Sequence, residues 1–373
     1  MLAASKNHSY TSVLAARLHE RIKREGPITF CDWMRTALYD EQEGYYCRSD
    51  LQKWGRAGDY RTSPERSSLF AATFARYFAR LYEQLGGPRQ WTIVEAGAGD
   101  GRFARGVLET LQDYFPSVFS ATRYVVDEVG SHSRSLARER LEPFIDRIEF
   151  GTLEDVKVDP GLVFSNELLD AFPVHRVVMQ GGRLCEFYVT TGPNGDFEWT
   201  LGAPSTELLA KYFAQGRTPL AEDRAAEVNL EIDDWISKVA GRIGTGYLIT
   251  VDYGADAQDL YSSPARAQGT LRGFHEHRLV QDVLARPGRQ DLTTTIDWTF
   301  AKRIGETMGL EITAFDRLDK FLLAAGLLEQ LELETQRDEG DAAKLRLTTA
   351  AREMILPDGM AAHFQVLVQK KRR

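Results

Sequence analysis

Two clusters of residues carry most of the chemistry available to this chain. In Val94-Glu95-Ala96-Gly97-Ala98-Gly99-Asp100-Gly101, glycines stand at alternate positions behind an acid. Glycines let the backbone take conformations a Cβ forbids and let it approach a ligand closely. A helix starting just beyond would offer free N–H groups, which suit a carboxylate. In Asn166-Glu167-Leu168-Leu169-Asp170, two carboxylates three residues apart share one face of a turn or helix start. Such a pair matches the fork of a guanidinium, which stays protonated up to a pKa above about 12. It can localise positive charge on some nitrogens and assist proton loss from another. The plainer alternative has Asn166 and Asp170 capping a helix and Glu167 solvated. Asp252, in Asp252-Tyr253-Gly254, adds a third acid, and His275 and His277 are candidate general bases. Two histidines one residue apart alternate faces on a strand and no third ligand is evident, so no metal site is expected. Asp291, Thr293 and Asp297 read as capping residues.

These groups need a scaffold. Trp91-Thr92-Ile93-Val94 leads into the glycine turn as a strand, and Phe103, Val107, Leu108 and Leu111 mark one side of the helix after it. Between 91 and 166 the pattern predicts strands 91–95, 123–127, 147–150 and 161–165, with helices 102–115 and 131–141. That alternation implies a parallel sheet with helical crossovers, its apolar strands buried on both faces. Tyr247–Val251 and Phe364–Val368 read as further strands. Residues 1–90 look mainly helical, and 175–200 look like a hairpin around Gly181-Gly182. The connection 254–296 is long enough to be a functional cover and is expected to hold a short helix near Leu279–Leu284.

Ligands of a doubly wound sheet bind at the carboxyl ends of its strands. Those ends here are Glu95 with the glycine turn, Asp127-Glu128, Gly151-Thr152-Leu153-Glu154, Asn166 to Asp170, and Asp252. Glu128 is placed to accept hydrogen bonds from ribose hydroxyls, the alternative being a solvated acid pair. By fold analogy, Thr152 and Leu153 would lie near an adenine.

A chain of 373 residues, 43% hydrophobic, allows one elaborated domain or two. No apolar run approaches the roughly 18 residues of a membrane span, and no signal core is present. Residues 1–19 lack acids in the manner of a transit peptide, but Leu14, Leu18 and Ile22 read as one face of a helix in the folded body. Cys31, Cys47 and Cys185 lie too far apart for a disulfide framework or zinc cluster, so a reducing cytoplasm is the expected location. A net charge of −8 disfavours nucleic acid and suits a basic protein or peptide substrate.

The glycine turn resembles the first motif of S-adenosyl-L-methionine (SAM) methyltransferases. A dinucleotide turn would need glycine at 102, where Arg102 stands. Further stretches in order resemble the MidA-type SAM-dependent methyltransferases, a family that includes a mitochondrial complex I assembly factor methylating arginine. They include Gly44-Tyr45-Tyr46, Gly58-Asp59-Tyr60-Arg61-Thr62-Ser63-Pro64-Glu65, Asn166 to Val174, Asp252-Tyr253-Gly254 and Gly269-Thr270-Leu271-Arg272. The resemblance implies an α/β, Rossmann-like sheet, doubly wound and mostly parallel with a reversed last strand. It also implies an N-terminal helical cap segment over 1–90 and a methyltransferase domain over 91–373, with insertions at about 175–240 and 254–296. SAM would be the cofactor, held by Glu95, Gly97, Gly99, Gly101, Glu128, Thr62, Ser63, Thr152, Leu153 and Asn166. Glu167, Asp170, Asp252 and His275 would serve methyl transfer to a protein arginine. The rivals are transfer to a small molecule or nucleic acid, and an assembly chaperone that binds SAM without turnover. Asp291-Leu292-Thr293-Thr294-Thr295 departs from the family's Asp-x-Thr-x-His pattern.

Overall fold

Leu14, Leu18 and Ile22 do line one face of a helix, Val13–Glu25, and are buried. The Ser12 hydroxyl caps it, accepting the Ala15 N–H at 3.0 Å. The computed structural model describes residues 12–51, 68–216, 218–276, 278–337, 340–356 and 359–371. Asp59, Thr62, Ser63, Glu65 and His277 lie outside the described residues.

In chain order, β1 (Ile28–Thr29) precedes the helix Phe30–Tyr39. β2 (Trp91–Ala96), β3 (Thr122–Asp127), β4 (Ile148–Phe150) and β5 (Gly161–Asn166) follow. An inserted run holds β6 (His175–Gln180), β7 (Arg183–Thr191), β8 (Phe197–Gly202) and β9 (Ala225–Val228). After β10 (Gly246–Ala255), the long connection carries β11 (Arg272–His275), β12 (Arg278–Val280), β13 (Asp291–Thr293) and β14 (Ile296–Asp297). β15 (Leu310–Arg317) and β16 (Phe364–Lys371) complete the order.

The central sheet runs β15-β16-β10-β5-β2-β3-β4, with β14 beside β10. β10, β5, β2, β3 and β4 are mutually parallel, whereas β16 is antiparallel to both its neighbours. This is the expected doubly wound sheet with a reversed last strand. From β2 the chain winds outward through β3 to β4, and from β5 it goes to β10 on the other side. The crevice at their carboxyl ends is therefore the topological switch point.

Apolar residues cover both faces of this sheet. On one, the helices Ser68–Gln84, Arg102–Tyr114 and Leu318–Ala325 bury Phe74, Phe78, Phe103 and Phe321 against Phe164 and Ile249. On the other, Leu208–Gly216, Glu231–Arg242 and Trp298–Thr307 cover Val94, Val163 and Leu248. A third apolar cluster joins the N-terminal helices to the insertions, packing Leu14, Phe30 and Trp33 with Val174, Val189, Leu284 and Leu292.

Two local readings change. The hairpin β6–β7 exists around Gly181-Gly182, both at positive φ, but β1, β8 and β9 join it in a five-stranded sheet. No helix forms near Leu279–Leu284; β12 lies there instead, at the edge of the sheet β12-β11-β13. Pairing decides the matter: Val280 lies opposite Gly273 so closely that a Cβ on that glycine would meet it at 2.5 Å.

Candidate active site

Because β10, β5, β2, β3 and β4 are parallel, the predicted strand ends lie together along the carboxyl edge of the central sheet. Gly97, Gly99 and Gly101 have φ of +71°, +56° and +78°, the left-handed region that glycine adopts without a steric penalty. A Cβ on Gly97 would sit 2.9 Å from Leu168 Cδ1, so the turn also needs glycine to lie against the end of β5. The Gly97 N–H donates to the Asp127 carbonyl at 2.8 Å. Both Glu128 oxygens are used, by the Gly99 N–H at 2.8 Å and the Gly130 N–H at 2.7 Å. Thus Glu128, expected to face a ribose, ties the glycine turn to the end of β3 in this structure.

Glu95 is placed differently from expectation. It is buried and accepts the Tyr124 hydroxyl at 2.7 Å, and burial pushes its carboxyl up to about 8. Strand alternation puts it on the same sheet face as Tyr124 of β3, an apolar face where a neutral acid is the stable form. Leu153 is buried and donates its N–H to Asp127 at 2.9 Å, while the Thr152 hydroxyl donates to Asp155 at 2.8 Å.

At the end of β5 the backbone is strained. Glu167 has φ +52°, a region that costs a side-chain-bearing residue roughly 1–2 kcal/mol. Its N–H donates to the Val251 carbonyl at 2.9 Å, and Asn166 Nδ2 donates to Glu167 Oε1 at 3.1 Å. Asn166 Oδ1 is buried without a hydrogen-bond partner among the described residues. Asp170 is only 4% exposed. Burial and the charges of Asp252, Glu167 and Asp291 hold its proton far above the usual carboxylate range, with Arg272 opposing them.

Asp252, expected to act in the cleft, is instead fully buried with its carboxylate turned to the backbone. Its Oδ2 accepts from the N–H groups of Leu168, Leu169 and Asp170 at 3.2, 2.9 and 3.4 Å. Burial outweighs these bonds and pushes the carboxyl up to about 7. His275 lies in β11 opposite Arg278, its Nδ1 buried with no partner among the described residues.

Sequence reasoning missed how the N-terminal segment meets the long connection. Asp297 does cap a helix, accepting the Phe300 N–H at 3.0 Å. Asp291, read as a cap, accepts the Tyr46 hydroxyl at 2.7 Å instead. Those two residues are 245 positions apart, so no local pattern could have paired them.

SAM presents an ammonium, ribose hydroxyls and an adenine amine, all donors, together with one carboxylate. The residues at the strand ends fit that set: a left-handed glycine turn and an orphaned, buried Asn166 Oδ1 acceptor beside it at the end of β5. Fold and crevice together define a SAM-dependent methyltransferase. The chain belongs to the family described as "Putative S-adenosyl-L-methionine-dependent methyltransferase", whose profile matches residues 73–315. It is 28% identical to the Drosophila melanogaster "Protein arginine methyltransferase NDUFAF7 homolog, mitochondrial", over 82% of this chain and 73% of that protein. The Xenopus tropicalis "Protein arginine methyltransferase NDUFAF7, mitochondrial" is 27% identical over 76% of this chain and 69% of its own length. A Burkholderia thailandensis protein crystallised with S-adenosyl-homocysteine superposes with a TM-score of 0.84 at 27% identity, covering 96% of this chain and 92% of that one. SAM is accordingly the cofactor. The expected cytoplasmic location is overturned by these relatives, which are named as mitochondrial proteins. Sparse cysteines report a reducing environment and do not specify which compartment provides it.

Proposed function

We propose that this enzyme methylates an arginine side chain of a protein, with Glu167 and Asp170 receiving the guanidinium. The observation that carries this reading is Asp170: a buried carboxylate set among the charges of Asp252, Glu167 and Asp291, three residues from a Glu held in a strained conformation at the switch point. A buried acid in that state is stabilised by a cation bringing its own N–H donors. The names of the two relatives agree with a protein arginine substrate.

Bound SAM supplies an electrophilic methyl group. Gly97, Gly99, Gly101 and Asn166 would hold its amino-acid portion and Leu153 with Thr152 its adenine side, while Glu128 fixes the glycine turn against the end of β3. Glu167 and Asp170 then orient the guanidinium, concentrate its positive charge away from the reacting nitrogen and receive the proton that nitrogen loses. Arg272, whose field opposes the raised Asp170 proton affinity, favours the ionised form needed for that task. Asp252 serves by holding the turn that carries both acids.

The test is transfer of label from radiolabelled SAM into a hypomethylated lysate of the source cell, with Glu167→Gln as control. A labelled protein carrying methylarginine, absent with the variant, supports the assignment. Label confined to nucleic acid or small molecules would defeat it.

A further inference from the structure

We infer that Asn229 and Tyr39 are positioning residues for methyl transfer, holding the turn that carries Glu167 and Asp170 from two distant segments so that both carboxylates keep one orientation. This rests on the roles proposed above for those two acids.

The turn cannot hold itself. Its single 3-10 segment, Leu169–Ala171, closes with the Phe172 N–H on the Leu169 carbonyl at 3.2 Å. The residue ahead of it, Glu167, sits in a backbone region that persists only where the surroundings over-determine it. Those surroundings are four separate parts of the chain. Asp252 on β10 gathers the N–H groups of residues 168 to 170. The carbonyls are then taken one by one, each by a different segment. Asn229, just beyond β9, donates its side-chain amide to the Leu169 carbonyl at 3.0 Å. The Thr294 N–H, just beyond β13, donates to the Asp170 carbonyl at 3.0 Å. Tyr39, at the end of the helix Phe30–Tyr39, donates its hydroxyl to the Ala171 carbonyl at 3.0 Å.

Three consecutive carbonyls held by three unrelated segments fix the turn in all directions, which a helix of its own would not do. Of these donors, two are side chains that can be changed alone: Asn229 is buried, and Tyr39 can lose its hydroxyl while keeping its ring. Neither touches the glycine turn through a hydrogen bond to it. Loss of either donor should therefore disturb the acceptor acids and spare the cofactor. A misplacement of about 1 Å at a reacting group can cost up to about 100-fold in rate.

The experiment compares wild type, Asn229→Ala, Tyr39→Phe and Glu167→Gln in the radiolabelled-SAM lysate assay, reading maximal rate and KM for SAM separately. Amide exchange of residues 167–172 is followed by mass spectrometry on the same proteins, together with Tm. The expected result is a roughly tenfold lower maximal rate for Asn229→Ala and a smaller loss for Tyr39→Phe. KM for SAM and Tm should stay near wild type while exchange in 167–172 quickens. A purely structural role would instead lower Tm and spare the rate of the protein that remains folded. Full maximal rates in both variants, with Glu167→Gln inactive, would overturn this inference and leave the proposed function standing. Full activity of Glu167→Gln would overturn the proposed function itself. Should Asn229→Ala fail to fold, Tyr39→Phe carries the test, because it removes one oxygen.

Discussion

Glu167 is a single residue at which the requirements of stability and of chemistry oppose each other. Its φ of +52° stores strain that glycine would release. Glu167→Gly should therefore unfold about 1 kcal/mol later in urea while losing methyl transfer. A variant less stable than wild type would show that the side chain contributes more through its contacts than the backbone loses. Glu95 makes a second residue-level case. Burial raises its carboxyl from 4.5 to about 8, so between those values the folded chain keeps a proton that the unfolded chain has released. Stability therefore falls as pH rises through that window and levels off above it. Glu95→Gln stays neutral and still accepts the Tyr124 hydroxyl, so its urea midpoint should vary less between pH 5 and 8 than that of wild type. Parallel curves for the two proteins would mean that Glu95 ionises normally in the folded state.

At the scale of elements, the parts of the fold that were legible are those governed by short-range pattern. β2, the glycine turn and the helix Arg102–Tyr114 could be read from an apolar run, alternating glycines and a 3.6-residue apolar period. The acids Glu167 and Asp170 could be singled out because their spacing alone suggests a shared face. Asp252 and Glu95 were visible as acids at strand ends, yet their tasks were not, since those depend on which neighbour each carboxylate meets across the sheet. The five-stranded sheet was hidden for the same reason: β1 and β9 join β7 and β6 from far away in sequence. That sheet contains an ion pair between the half-buried His175 Nδ1 and the buried Glu186 Oε1 at 2.7 Å. Burial draws the imidazole down, but its bonds to Cys31 and Glu186 prevail and push it up to about 9. A histidine raised from 6.5 to about 9 adds stability fully below 6.5 and loses it as pH climbs through 9. Glu186→Ala should cost about 3 kcal/mol near pH 6 and progressively less toward pH 10, by urea unfolding. A cost independent of pH would assign the loss to packing.

Across the whole molecule, the turn that carries Glu167 and Asp170 is reached by parts of the chain that lie far apart in sequence. The N-terminal helices and the long connection share one apolar cluster, with Leu14 and Leu18 packed among Leu284 and Leu292. Above the strand ends, the Tyr46 hydroxyl meets Asp291 of β13. Tyr46 also stacks with Tyr39, 5.4 Å between ring centres, and Tyr39 holds the turn below. Asp291, Tyr46, Tyr39 and the turn at residues 167–171 are thus connected through one chain of contacts. Removing the Tyr46 hydroxyl takes a donor from a buried carboxylate, a loss of about 1–3 kcal/mol concentrated where the two covers meet. Tyr46→Phe should then speed amide exchange in residues 39–51 and in β11 and β13 together, while β2, β5 and β10 exchange as before. Because the covers would open as a unit, bound S-adenosyl-homocysteine should slow both regions by a similar factor in wild type and by less in the variant. Faster exchange on one side alone would mean that the two covers move independently and that Tyr46 belongs to only one of them.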